Sequence, residues 1–295
     1  MVNILKFGNK ATPYLLLLPI FLVSGFILYY CIGYTFFTSF HEWDGISSDM
    51  AFVGLENYID TLTDPTFRIA LKNTLIFFAV TVFMQAVIGL LLAVLLKERF
   101  HGNIVFKGIY FLPVIMAPVV LATIFRMILD TNIGALNTML RAVGLDKLAV
   151  SWLGDPKFAL FSIICVNIYN WMGFSMMTYF AGLMAIDEQI YESAKLDGAG
   201  FFRTLFSITL PMLKGTTASL VMLGIVGSLK TFDIVFLMTG GGPGRSTEFL
   251  TTFLFRKSLD EYNGGQASAI GIIILAIALV MAVIQNRGYE KSQFE

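Results

Sequence analysis

Charge is scarce in this sequence. Only 14% of the 295 residues are Asp, Glu, Lys or Arg, and 57% are hydrophobic. A soluble domain carries about 25% charge and about 45–50% apolar residues. Too little charge is present to clothe a soluble core of this size, so the composition points to an integral membrane protein. The formal net charge is zero, which leaves nucleic-acid binding without electrostatic support. Cysteine is equally rare: Cys31 and Cys165 both fall within apolar runs, and a disulfide framework is not expected. The two histidines, His41 and His101, lie in different loops with no Cys or acid at ligand spacing. They read as solvated loop residues, and no metal site is expected. No Ser-His-Asp, Cys-His or paired-carboxylate arrangement stands out, so no catalysis is expected of the chain. No internal repeat or low-complexity segment is visible.

Long apolar runs are what the sequence has instead. Six of them, at about 12–40, 73–96, 108–129, 158–186, 216–238 and 267–284, read as transmembrane helices, since about 20 residues at 1.5 Å each cross a hydrocarbon core of about 30 Å. The first is longer than the core of a cleaved leader, about 7–15 residues, and reads as a retained helix with Thr12-Pro13 as cap and first-turn proline. The third contains Pro113 and Pro118, which predicts a kink, and Arg126 near its end can snorkel to the interface. His41–Arg68 reads as a polar loop, Lys97–Asn103 as a tight polar turn, and Asp130–Pro156 as a longer loop with Trp152 at a headgroup boundary. The terminal tails, the loop at 97–107 and the stretch at 187–214 hold ten Lys/Arg and seven Asp/Glu; the other loops and span ends hold nine and twelve. With the acid-free start at Lys6 and Lys10, this places both termini in the cytoplasm. Residues 1–295 read as one all-α membrane domain.

One polar stretch, 187–211, interrupts this hydrocarbon. Asp187 can cap a helix, Glu188 suits its first turn, Gly198 and Gly200 loosen the middle, and Pro211 marks entry to the next span. Ile190, Tyr191, Ala194, Phe201, Phe202 and Leu205 give an apolar side opposite Glu188, Glu192, Lys195 and Arg203. An amphipathic helix of this kind suits a partner's groove; the alternative is a helix lying on lipid, for which Lys195 and Arg203 offer little attraction.

The spacing Glu192-x-Ala194-x3-Gly198-x9-Ile208-x-Leu210-Pro211 resembles the cytoplasmic loop of binding-protein-dependent ABC importer permeases. Ser193 stands where the usual Glu-Ala-Ala opening has its middle alanine. Phe52–Tyr58, Trp152-Leu153-Gly154-Asp155-Pro156, and Thr231-Phe232-Asp233 followed by Thr239–Pro243 are similar to the carbohydrate branch of that family, of maltose or glycerol-phosphate type. The resemblance implies the six-helix fold of a type I ABC importer permease in a cell inner membrane, with a coupling hairpin at 187–211 between helices 4 and 5. It also implies a second permease subunit in a heterodimer, two cytoplasmic ATPase subunits holding ATP and Mg, and an extracytoplasmic solute-binding protein. Coupling is then expected from Glu192, Ser193, Ala194, Asp197, Gly198, Ala199, Leu210 and Pro211. No cofactor is expected in this chain itself.

Asn167, Asn170, Trp171 and Phe174 fall at i, i+3, i+4 and i+7 of the fourth span, one face of a helix. Amides beside aromatic rings suit a sugar; they equally suit glue between helices. The resemblance favours a substrate path and adds Ser228 and Thr231. Lys230 and Asp233 are three apart and read as a structural or gating ion pair, on the side of the fifth helix opposite Ser228 and Thr231. Gly240–Thr247 fails as a phosphate loop, because Thr239 and Arg245 stand where the motif needs Gly and Lys. The competing functions are an importer of a polyol or glycerol phosphodiester, an ion-coupled transporter or channel, which tends to show buried acids or inverted repeats, and an intramembrane enzyme.

Overall fold

The computed structural model describes residues 12–97 and 102–294. Lys6, Lys10, Glu98, Arg99, Phe100 and His101, which enter the charge count and the polar turn, lie outside the described residues. The chain is mostly helical. Its elements are α1 (Thr12–Thr38), β1 (His41–Glu42), β2 (Ala51–Phe52), α2 (Glu56–Thr63), α3 (Pro65–Leu95), α4 (Asn103–Ile115), α5 (Pro118–Ile128), α6 (Ala135–Ala142), α7 (Pro156–Met184), α8 (Glu188–Leu196), α9 (Phe201–Thr204), α10 (Leu210–Met212), α11 (Lys214–Lys230), α12 (Asp233–Thr239), α13 (Leu250–Phe255) and α14 (Gly264–Phe294). Among the described residues four helices are long and apolar enough to cross a membrane, within Leu16–Thr38, Pro65–Leu95, Pro156–Met184 and Gly264–Lys291. Two bent pairs, Asn103–Ile115 with Pro118–Ile128 and Phe201–Met212 with Lys214–Lys230, raise the number to six if each pair is one span.

The residues divide into two compact units. The first comprises the chain up to Leu62 together with Arg256–Ile273. In it β1 and β2 pair antiparallel with His41 opposite Phe52, and Val53 N donates to Phe40 O at 2.9 Å. Buried Asn57 donates to both Ser39 O and His41 O. His41 lies in β1 rather than in a loop and is half-buried, its ring 4.2 Å from Phe37 and its Nδ1 2.8 Å from Phe37 O. Gly265 is required there, because a Cβ would collide with His41 O.

The second unit comprises Thr63–Phe255 with Ile274–Glu295. Its centre is α3 packed along α7. Both helices open on the same device, an Asp cap before a first-turn proline: Asp64 accepts from Thr66 N at 2.7 Å and Asp155 from Lys157 N at 2.9 Å. The Asp64-Pro65 signal starts the second helix eight residues before the predicted residue 73. Small residues permit the close approach on which helix association in lipid depends. A Cβ on Gly89 would lie 2.6 Å from Ser175 Cβ, and one on Gly173 would strike Tyr110 O on α4. Two apolar clusters fill the unit, one around Phe77, Ile163, Val235 and Phe249, the other around Met176, Tyr179, Leu183 and Leu213.

The structure adds detail to three sequence expectations. The kink expected in the third run is a 99° bend, made where Met116 and Ala117 become extended before Pro118. The loop at 130–156 contains α6, whose buried Asn137 donates to Thr131 O and Val150 O and accepts from Trp152 Nε1 at 2.8 Å. Trp152 is half-buried, its indole N–H fixed by Asn137. Arg126 donates to Leu237 O at 3.4 Å, at the negative end of α12.

Candidate functional site

A cavity of about 400 Å3 opens in the second unit, walled by α3, α7, α11 and the start of α12. Asn167, Asn170, Trp171 and Phe174 of α7 all line it, as do Ser228 and Thr231. The structure thus brings together the six residues nominated for a substrate path. Asn167 and Ser228 are buried, and Trp171 meets Phe174 edge-on at 6.0 Å between ring centres. Asn170 Oδ1 is buried with no hydrogen-bond partner among the described residues. A buried acceptor left unpaired costs about 1–3 kcal/mol, so this oxygen is suited to receive a hydroxyl donor from a molecule in the cavity. The rings of Trp171 and Phe174 supply flat apolar faces beside it.

Sequence reasoning missed the contribution of α3. Phe77, Thr81, Val82 and Gln85 line the same cavity, and Gln85 Nε2 donates to Asn167 Oδ1 at 3.0 Å and to Asn167 O at 3.2 Å. An amide in an otherwise apolar span was the available signal.

The expected arrangement of Lys230 and Asp233 is not found. The fifth run is not one helix: α11 stops at Lys230, Thr231 is extended (φ −63°, ψ 113°), and α12 begins at Asp233. Phe232 in the break stacks on Phe236 at 4.9 Å and packs on Phe255 at 5.0 Å, while Thr251 Oγ1 donates to Thr231 O. Broken this way, the chain presents Lys230 and Asp233 to the cavity together with Ser228 and Thr231 rather than opposite them. Both charged residues are exposed, and among the described residues no ion pair joins them.

The stretch at 187–211 is an ordered helical segment. Asp187 caps α8 by accepting from Gln189 N at 3.0 Å, and Glu188 occupies the first turn. Gly198 does not loosen the segment. At φ +73° it closes α8, with Gly198 N donating to Lys195 O and Ala199 N to Ala194 O, the paired bonds of a Schellman cap. The apolar side divides in two. Ala194 and Leu205 are buried and Tyr191 half-buried, whereas Leu196, Phe201, Phe202 and Phe206 are exposed. Of the nominated coupling residues, Glu192, Ser193, Asp197, Gly198 and Pro211 are exposed, Ala199 and Leu210 half-buried, and Ala194 buried. The chain bends by 65° at Leu213, just after Pro211, where α11 begins.

In sequence and in fold the chain matches a recognised class of membrane component. Residues 85–287 match the model of the family described as "binding-protein-dependent transport system inner membrane component", and the chain belongs to that family. It is 34% identical over 289 residues to the probable ABC transporter permease protein YurN of Bacillus subtilis, covering 97% of this chain and 99% of that one. It is 32% identical over 283 residues to the trehalose/maltose transport system permease protein MalF of Thermococcus litoralis, covering 95% of each. Among solved structures, the bacterial alginate ABC transporter in complex with alginate pentasaccharide-bound periplasmic protein contains a chain that superimposes with a TM-score of 0.79 at 26% identity, over 93% of this chain and 92% of that one. The chain is accordingly an integral inner-membrane transport component.

Proposed function

We propose that this chain is the permease subunit of an ATP-driven, binding-protein-dependent importer of carbohydrate, and that it forms half of the translocation pathway. The observation that carries the sugar reading is the cavity, where unpaired Asn170 Oδ1 and the amide of Asn167 stand beside the faces of Trp171 and Phe174. Related proteins named for trehalose, maltose and alginate support it. Four straight and two bent helices make six crossings with cytoplasmic termini. A second permease subunit completes the pathway, two cytoplasmic ATPase subunits bind ATP and Mg, and an extracytoplasmic solute-binding protein delivers the sugar. The exposed residues Glu192, Leu196, Gly198, Phe201 and Phe202 dock α8 and α9 in the ATPases. Closure of the ATPases on ATP then moves the helices and turns the cavity from an outward to an inward opening. Asp233 lines the cavity as well as Lys230, so the wall carries no net positive charge to favour an anionic glycerol phosphodiester.

Two experiments test this reading. Asn170→Ala or Trp171→Ala should lower sugar uptake while ATPase subunits still co-purify; unchanged uptake kinetics would remove these residues from the path. Gly198→Trp or Glu192→Lys should abolish uptake and loosen the ATPase subunits with the chain still inserted. If co-purification and uptake both survive, the segment is not the docking surface.

A further inference from the structure

The segment at α8 is tied covalently to α7 through 185–187, and the structure shows a second attachment that the sequence did not suggest. Lys97, at the end of α3, places its Nζ 3.5 Å from the ring centre of Tyr191 in α8. Lys107, on α4, places its Nζ 3.5 Å from the ring centre of Phe180 near the end of α7. Asn103 Nδ2 donates to Leu96 O at 2.7 Å and so ties the start of α4 to the end of α3. Both lysines and both rings are half-buried, and neither ammonium has an ion-pair partner among the described residues. A cation over a ring shielded from water is held more firmly than one at an exposed site. Tyr191 is gripped on its other end as well, its hydroxyl lying 3.4 Å from Thr209 Oγ1.

The far part of α3 matters because it walls the cavity. Gln85, which donates to Asn167, lies twelve residues before Lys97, about 18 Å along a helix. We propose that the end of α3 and the neighbouring start of α4 are a second joint to the coupling segment. Lys97 on Tyr191 and Lys107 on Phe180 make the end of α3 move with α8, so that displacement of α8 reaches the cavity along α3 as well as along α7 and α11. Lys97, Lys107 and Tyr191 are positioning residues: they touch no solute and act through the helix they hold. The proposal rests on the reading of α8 as the ATPase-docking segment.

The test uses the whole importer in proteoliposomes, with Cys31 and Cys165 replaced by Ala. One cysteine is introduced in the cavity wall, either Val82→Cys on α3 or Leu223→Cys on α11. The probe is a membrane-impermeant maleimide, and the readout is the change in labelling rate when a non-hydrolysable ATP analogue with Mg is added. The expected result is an ATP-dependent change at both positions. Lys97→Met or Tyr191→Leu should shrink the change at Val82→Cys by about threefold to tenfold and leave most of that at Leu223→Cys. Lys97→Arg and Tyr191→Phe, which keep the cation and the ring, should restore it, and Lys97→Met with Tyr191→Leu should be no worse than either alone. Lys97→Met leaves α8 itself untouched, so a loss there cannot be blamed on damage to that helix. No ATP-dependent change at Val82→Cys, or a full change surviving both single variants, would overturn the proposal. Failure of the docking reading looks different: Gly198→Trp would then leave the change at Leu223→Cys intact.

Discussion

Gly198 is the residue whose chemistry follows most directly from its backbone. At φ +73° an L side chain is strained, yet a Cβ there would meet nothing within 4 Å. Gly198→Ala is therefore expected to cost about 1 kcal/mol through backbone strain alone, read as lost hydrogen-exchange protection of the α8 amides. Asn137 is the opposite case, a fully buried amide serving two carbonyls and one indole. Asn137→Ala strands three groups and should destabilise the chain by about 1–3 kcal/mol, measured by thermal unfolding in detergent. Two exposed carboxylates have a pH signature. The backbone N–H of Ile46, then that of Ser47 and the Ser47 hydroxyl, hold Asp44 below its ordinary value of 3.8. The N–H groups of Ile133 and Asn132 do the same for Asp130. A folded-state value below the unfolded one stabilises the folded loop above about pH 4, and that contribution fades as the pH falls through the lowered value. The 44–47 turn should loosen on acidification, seen as faster amide exchange at Ile46 and Ser47, and Asp44→Asn should flatten that dependence.

At the scale of elements, what matters is how closely helices approach and where they stop. Gly89 touches Ser175 across the α3–α7 contact, with backbone atoms of residues 175 and 176 at 2.9 Å from any added Cβ. Gly89→Leu must push the two helices apart, an overpacking cost of about 1–3 kcal/mol, and should appear as a lower unfolding temperature with reduced uptake. The α7 stripe was legible because a 3.6-residue period survives in sequence whatever surrounds it. The capped start of α8 was legible for a related reason, since Asp187 followed by Glu188 is a local device; the Asp155 cap that starts α7 is equally local but reads in the sequence only as loop. The break between α11 and α12 was not. It contains no proline or glycine between Lys230 and Asp233; it is made by Phe232 docking on Phe236 and Phe255 and by Thr251 donating to Thr231 O. Phe255 and Thr251 come from α13, twenty or more residues away, so no local rule could place the break. The missing Lys230–Asp233 pair follows from the same break, because the i, i+3 geometry exists only on an intact helix.

At the scale of the molecule, the family places this chain among partners it does not contain. A place in the membrane explains the many exposed apolar residues on its spans, such as Phe26 and Tyr29 on α1, which in a soluble protein would be a liability. Composition and period by themselves determined that the chain is a helical membrane protein, that one polar segment is a capped helix, and that amides and aromatic rings share a face of the fourth span. Those properties depend on residue type and short-range spacing. Only the tertiary structure decided that α3 completes the cavity wall, that Gln85 orients Asn167, that the fifth run breaks at Thr231, and that Lys97 reaches Tyr191. Each of these joins residues twenty or more positions apart. Their contact is fixed by which helices can approach closely, at Gly89, Gly173 and Gly224, and that is a property of facing surfaces rather than of any one stretch of chain.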